Sequence, residues 1–295
     1  MDYRAFIELA GQFLPASEFK LESLSLFEPK NDLQTLSRYL NSVTWKLEIA
    51  DYHVSEALEA IPRVLPKDEP DKRTAAWAMQ FALMSGHEEG DAMAIAQRET
   101  EAHAIAAAQA LHSVPDILAH ALYLAFRLDT LRSMRECDRT VGSIVRALKN
   151  ASILSVGAAV EELITSDIFK YLRVFVNTTK HRSLIDYRFH SSLEDLEDFG
   201  LSFSAFIYED RSGVVEGWSS KTVKESLEQS FSFMSVSVDA IIATAESVLI
   251  SCATLWETMM SGSSSRPVSP KMFKVDGPKG TPPHILSPGN LSIGC

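Results

Sequence analysis

Five cations and two histidines gather between residues 170 and 190 of an otherwise acidic chain: Lys170, Arg173, Lys180, Arg182 and Arg188, with His181 and His190. A histidine among cations can act as a general acid or base. A neighbouring Arg or Lys can hold a phosphate and stabilise a developing negative charge. The combination suits metal-independent RNA cleavage, in which a ribose 2′-hydroxyl attacks the adjacent phosphate. The plainer account of the same residues is structural: basic side chains at a helix C-terminus complement its dipole, and Asn177 can cap it.

A second group of ionisable residues spans 99–120. Glu99 and His103 are one helical turn apart, and His112, Asp116 and His120 follow at intervals of four, a spacing that can present metal ligands on one helix face. Pro115 is expected to start a new helix with Ser113 as its N-cap, which would separate His112 from Asp116. Glu-x-x-His, the signature of di-iron bundles, does not occur. The expectation is therefore a polar face or satisfied core histidines, with no metal site and no cofactor. Gly-rich phosphate loops, G-x-S-x-G and H-E-x-x-H do not occur either. Paired carboxylates such as Glu161-Glu162 and Glu194-Asp195 sit on stretches with a solvated pattern.

The run Val176-Asn177-Thr178-Thr179-Lys180-His181-Arg182 resembles the motif of the HEPN superfamily (higher eukaryotes and prokaryotes nucleotide-binding), whose active members end a bundle helix with Arg-Asn-x-x-x-His or a looser Arg-x(4–6)-His. Asn177 and His181 match the second and last motif positions. Val176 stands where the motif places arginine, and seven residues separate Arg173 from His181. The resemblance covers roughly 115–260. It implies a four-helix core, with His181, Asn177 and Arg182 as catalytic candidates and Arg173, Lys180, Arg188 and His190 as binding candidates. It also implies a role in RNA processing or phage defence, either as a metal-independent endoribonuclease or as an inactive relative that works by binding RNA or a nucleotide. The competing expectation is a non-enzymatic helical scaffold or adaptor that recruits a protein partner or a second copy of itself.

Charge limits how such a site can meet nucleic acid. Arg266, Lys271, Lys274 and Lys279 against Asp276 alone give residues 261–295 a net of +3, so of the chain's −11, residues 1–260 carry −14. Phosphate neutralisation supplies most non-specific affinity for nucleic acid. Any contact with RNA must then be local. No uncharged run reaches the roughly eighteen residues that cross a bilayer, and the N-terminal residues lack a signal-peptide pattern. Cys137, Cys252 and Cys295 are widely spaced without a C-x-x-C pair. A cytoplasmic protein without a membrane segment is the expectation.

The elements that must position these residues are mainly helical. Phe6, Ile7, Leu9, Ala10 and Phe13 suggest a short docking arm. Leu33, Leu36, Leu40, Val43, Leu47, Ala50, Val54 and Leu58 recur at helical spacing from Asp32 to about Ile61, and Pro62, Pro66 and Pro70 then mark a linker. Residues 1–70 are thus read as an N-terminal arm, 71–260 as the main bundle and 261–295 as a tail. Within the bundle, helices are expected over 71–85, 91–112, 113–135, 141–149 and 156–177. Alternation in Ile185, Tyr187 and Phe189 and again in Leu201, Phe203, Ala205 and Ile207 predicts a β-meander over about 183–219, with a hairpin turn at Asp210-Arg211-Ser212-Gly213. Over 222–259, Val223, Leu227, Phe231, Met234, Val238, Ile241, Ala245, Val248, Cys252, Leu255 and Met259 keep a heptad seam. Ile242, Leu249 and Trp256 add a second line. A stripe this wide fits the centre of a bundle better than a two-stranded zipper. The tail holds six of the chain's twelve prolines and has too little apolar surface to offset ordering entropy, so disorder is expected there.

Overall fold

The computed structural model describes residues 6, 8–9, 29–64, 88–131, 133–181, 185–191, 199–209, 213 and 215–261. The helix expected over 71–85, the part of the expected linker 62–72 beyond Val64 and the tail from residue 262 onward lie outside them; Pro62, expected to end the first helix, sits inside a helix that runs on to Val64. The fold is mainly α, a helical bundle with small antiparallel β pieces. Two compact units divide the chain, Met1–Leu255 and Trp256–Cys295, and the bundle is the first.

Two long helices dominate it. Helix α1 (Pro29–Val64) and helix α2 (Glu88–Ala125) pack against each other more extensively than any other pair. Their seam shows why: Ala50, Ala57 and Ala60 on α1 and Ala96, Ala104, Ala107 and Ala108 on α2 are buried, and so small a side chain lets two backbones approach. Larger residues, among them Leu36, Leu40, Val43, Leu111 and Leu118, close the core on either side, and Phe6 from the N-terminal arm is buried with them.

Helix α2 runs without interruption through Pro115, contrary to the break expected there. Ser113 does not cap a new helix; its hydroxyl donates to the carbonyl of Ala110 at 2.7 Å. A proline inside a helix costs about 3 kcal/mol, but Leu111, Val114, Pro115, Leu118 and Ala119 are all buried around it. Tertiary burial outweighs the local penalty.

After α2 come the short α3 (Leu128–Leu131), a 3₁₀ turn at Glu136–Asp138, and then α4 (Val141–Asn150), α5 (Leu154–Thr165) and α6 (Asp167–His181). Thr140 caps α4 by accepting from the Ser143 amide. The C-terminus of α4 closes in a Schellman arrangement. The Ile153 amide bonds to the Leu148 carbonyl, the Ser152 amide to that of Lys149, and Ser152 takes φ +63°. Helix α2 packs against both α4 and α6, which makes it the axis of the bundle.

The expected meander is two separate pieces. Strands β1 (Tyr187–Ser191), β2 (Phe199–Phe203) and β5 (Lys221–Thr222) form one antiparallel sheet in the order β1-β2-β5, with Tyr187 opposite Phe203. Strands β3 (Phe206–Glu209) and β4 (Val215–Trp218) form a separate two-stranded antiparallel sheet among the described residues. The alternating run 201–207 therefore splits at Ser204-Ala205. Its two halves cover neighbouring parts of α6: Phe203 meets Phe175 at 4.7 Å, while Phe206 and Trp218 meet Tyr171 at 5.8 and 5.4 Å.

Helix α7 (Val223–Ser261) carries the heptad seam. Val223, Leu227, Met234, Val238, Ile241 and Ala245 are buried, and so are Ile242 and Leu249 of the second line. Both lines face core, as a bundle helix requires. By length and composition Val223–Cys252 would also pass for a bilayer span. Its buried side accounts for part of that apolarity, and Asp239 and Glu246 interrupt the rest.

Candidate functional site

The buried face of α6 consists of Phe169, Tyr171, Leu172, Val174, Phe175, Val176 and Thr178. At 3.6 residues per turn the complementary positions are Lys170, Arg173, Asn177 and Lys180, and these lie on the open side, with Arg173 and Lys180 exposed. Lys170 is partnered by Asp167 at 3.4 Å. Arg173 and Lys180 make no ion pair among the described residues. Two cations without an ion pair among the described residues thus stand one turn either side of an amide side chain on one helix.

The group that sequence spacing did not connect with this stripe is His112. It projects from α2 toward α6 and stacks on Phe169, with ring centroids 5.9 Å apart and planes within 3°. Burial lowers its proton affinity from the ordinary imidazole value, and the positive charges of Lys180 and Arg173 lower it further against the opposing pull of Asp116. A histidine whose proton affinity is lowered within electrostatic reach of two cations can accept a proton or a hydrogen bond from a ligand that those cations hold. Neither the 3.6-residue period nor any motif joins His112 to α6. The only signal in the sequence was a polar residue on an otherwise apolar stretch.

Two other members of the 99–120 group, Asp116 and His120, are engaged in structure. Asp116 shares a continuous helix with His112 after all, since Pro115 does not end it. One oxygen of Asp116 accepts from the Val141 amide at 3.2 Å, tying the start of α4 to α2. His120 stacks on Tyr39 of α1, centroids 5.2 Å apart, and burial lowers its proton affinity too. Among the described residues no group of three or more His, Cys, Asp or Glu side chains could hold a metal ion.

The remaining motif residues divide as follows. Asn177 is half-buried on the open stripe. His181 is the last residue of α6, and its side chain, like that of His190 on β1, lies outside the description; Arg182 lies outside it altogether. Arg188 is exposed on β1. Its neighbour Tyr187 bonds to Glu101 of α2, and pleat alternation puts Arg188 on the opposite side of the strand. Val176, at the motif's arginine position, is 0% exposed.

The chain matches no protein-family model, no curated protein and no solved structure.

Proposed function

We propose that this chain is a HEPN-like helical protein of RNA processing or phage defence that engages RNA by binding rather than by cleavage, through the open stripe of α6. The observation that carries the reading is the pair of cations without an ion pair among the described residues, Arg173 and Lys180, flanking Asn177 on one helix face within electrostatic reach of the half-buried His112. A backbone phosphate set between the two cations neutralises charge that no carboxylate among the described residues pairs with, and Asn177 offers both a donor and an acceptor to sugar or base. The acidic remainder confines the ligand to this strip, which favours a short single-stranded segment over a long duplex. Binding is preferred over catalysis because a buried valine stands where the HEPN motif places its arginine.

The test is fluorescence anisotropy with a labelled single-stranded RNA of about ten nucleotides, in chelator, across a salt series. Wild type is expected to bind more weakly as salt rises. Arg173→Ala and Lys180→Ala should each reduce the steepness of that dependence by about 0.7 in log–log slope. A double variant that binds as wild type, or no binding at low salt, would overturn the proposal in favour of a protein-recruiting scaffold. The same samples run on a denaturing gel report cleavage. Product that forms with wild type and disappears in a folded His181→Ala variant would replace binding by nuclease chemistry.

A further inference from the structure

A separate pair of groups lies on the α1–α2 seam, nine residues before His112 on α2, or about 13 Å of helix axis. His53 on α1 and His103 on α2 bring their Nδ1 atoms to 2.8 Å of each other, with ring centroids 5.0 Å apart. Tyr52 sets its ring edge-on to both, at 5.1 and 6.1 Å. The seam beside them is lined by the buried Ala50, Ala57, Ala104 and Ala107. The helices therefore approach closely enough for two imidazoles, fifty residues apart in sequence, to meet directly. Glu99 and His103 have the spacing of metal ligands on one helix, but the partner that His103 meets is on the other helix.

Two neutral imidazoles in this arrangement share one hydrogen, an Nδ1–H on one ring donating to the bare Nδ1 of the other. Burial and the facing ring lower the proton affinity of His53, and Glu56 opposes this only in part. If both rings take the Nε2–H tautomer, two lone pairs face each other. A cation turns that repulsion into chelation.

We infer that His53 and His103 form a binding site for a divalent d-block cation, held by the two Nδ1 atoms with solvent filling the remaining positions. Among the described residues no third His, Cys, Asp or Glu completes the group, and Glu56, one turn further along α1, is bonded to Arg63 at 2.7 Å. With metal–nitrogen bonds of about 2.0 Å, ligands at right angles stand about 2.8–2.9 Å apart and tetrahedral ligands about 3.3 Å apart. The observed 2.8 Å is the length of the N–H···N bond that the rings share before capture, and the general affinity order of nitrogen sites favours Cu²⁺. The rings now lie nearly in line with the nitrogen–nitrogen axis. In a right-angled chelate each nitrogen–metal bond makes about 45° with that axis, so capture turns each ring by up to about that angle through the broad terminal torsion of histidine.

The experiment uses the full chain without an affinity tag, stripped by chelator and titrated calorimetrically with Cu²⁺, Ni²⁺ or Zn²⁺ chloride in a non-coordinating buffer. Wild type is expected to take up one equivalent, most tightly for Cu²⁺, and to melt at higher temperature with the ion bound. His53→Gln and His103→Gln should each weaken uptake at least tenfold, whereas His120→Gln should not. Circular dichroism confirms that each variant is folded. An independent readout needs no variant: Zn²⁺ added to ¹⁵N-histidine-labelled wild type should shift the Nδ1 resonances of two histidines, assigned as His53 and His103. No uptake by wild type, uptake undiminished in either seam variant, or resonance shifts at other histidines would each overturn the inference.

Discussion

Replacing Val176 by arginine would bring the chain closer to the HEPN motif, and the structure predicts that it would damage the fold. Val176 is 0% exposed, on the side of α6 that meets core. Removing its buried surface forfeits about 1.5–3 kcal/mol, and a guanidinium left there without a partner adds about 3–5 kcal/mol. The total is comparable with the whole stability of an ordinary domain, about 5–15 kcal/mol. An arginine could escape by extending along the helix surface, but the nearest open strip already carries Arg173 and Lys180, whose like charges oppose it. Val176→Ala, which loses two methyl groups and introduces no charge, should cost only about 2 kcal/mol. Urea denaturation followed by circular dichroism separates the two: a modest drop in midpoint for alanine, and a much larger drop or an unfolded chain for arginine. A Val176→Arg protein with the wild-type midpoint would refute the placement of this face in the core and reopen the position to a catalytic role.

Other outcomes follow from the same geometry. Ile241→Asp puts an unpaired carboxylate on the buried seam of α7, where Ile241 is 1% exposed; a loss of several kcal/mol is expected, and an unchanged melting temperature would contradict it. Ser152→Gly relieves a left-handed backbone at an exposed helix end and should raise stability by up to about 1 kcal/mol, read as a higher urea midpoint. His53, His112 and His120 all bind protons less readily in the fold than in the unfolded chain. Below about pH 6.5 the unfolded state therefore takes up more protons, and stability should fall on acidification through that window and be fully present above it. Urea midpoints at pH 5.5 and 7.5 measure this, and a folded His112→Gln variant should show a smaller difference than wild type.

What could be read from the sequence was whatever depends on neighbours along the chain. The three-and-four spacing from Leu36 to Val54 and from Val223 to Ala245 marks the buried stripes of α1 and α7 because a helix face is defined by local geometry alone. The cationic stripe Lys170-Arg173-Asn177-Lys180 follows from the same period. Where the outcome depends on contacts between distant segments, local rules misled or were silent. Pro115 reads as a break, yet α2 continues because the surrounding side chains are buried. The alternation over 201–207 reads as one strand, yet its halves pair with different partners, β2 with β1 and β5, and β3 with β4. The placing of His112 beside Arg173 and Lys180, and of His53 against His103, required α2 to pack on α6 and on α1. Those juxtapositions arise from which apolar faces bury one another, a choice made by the whole core that no single segment encodes.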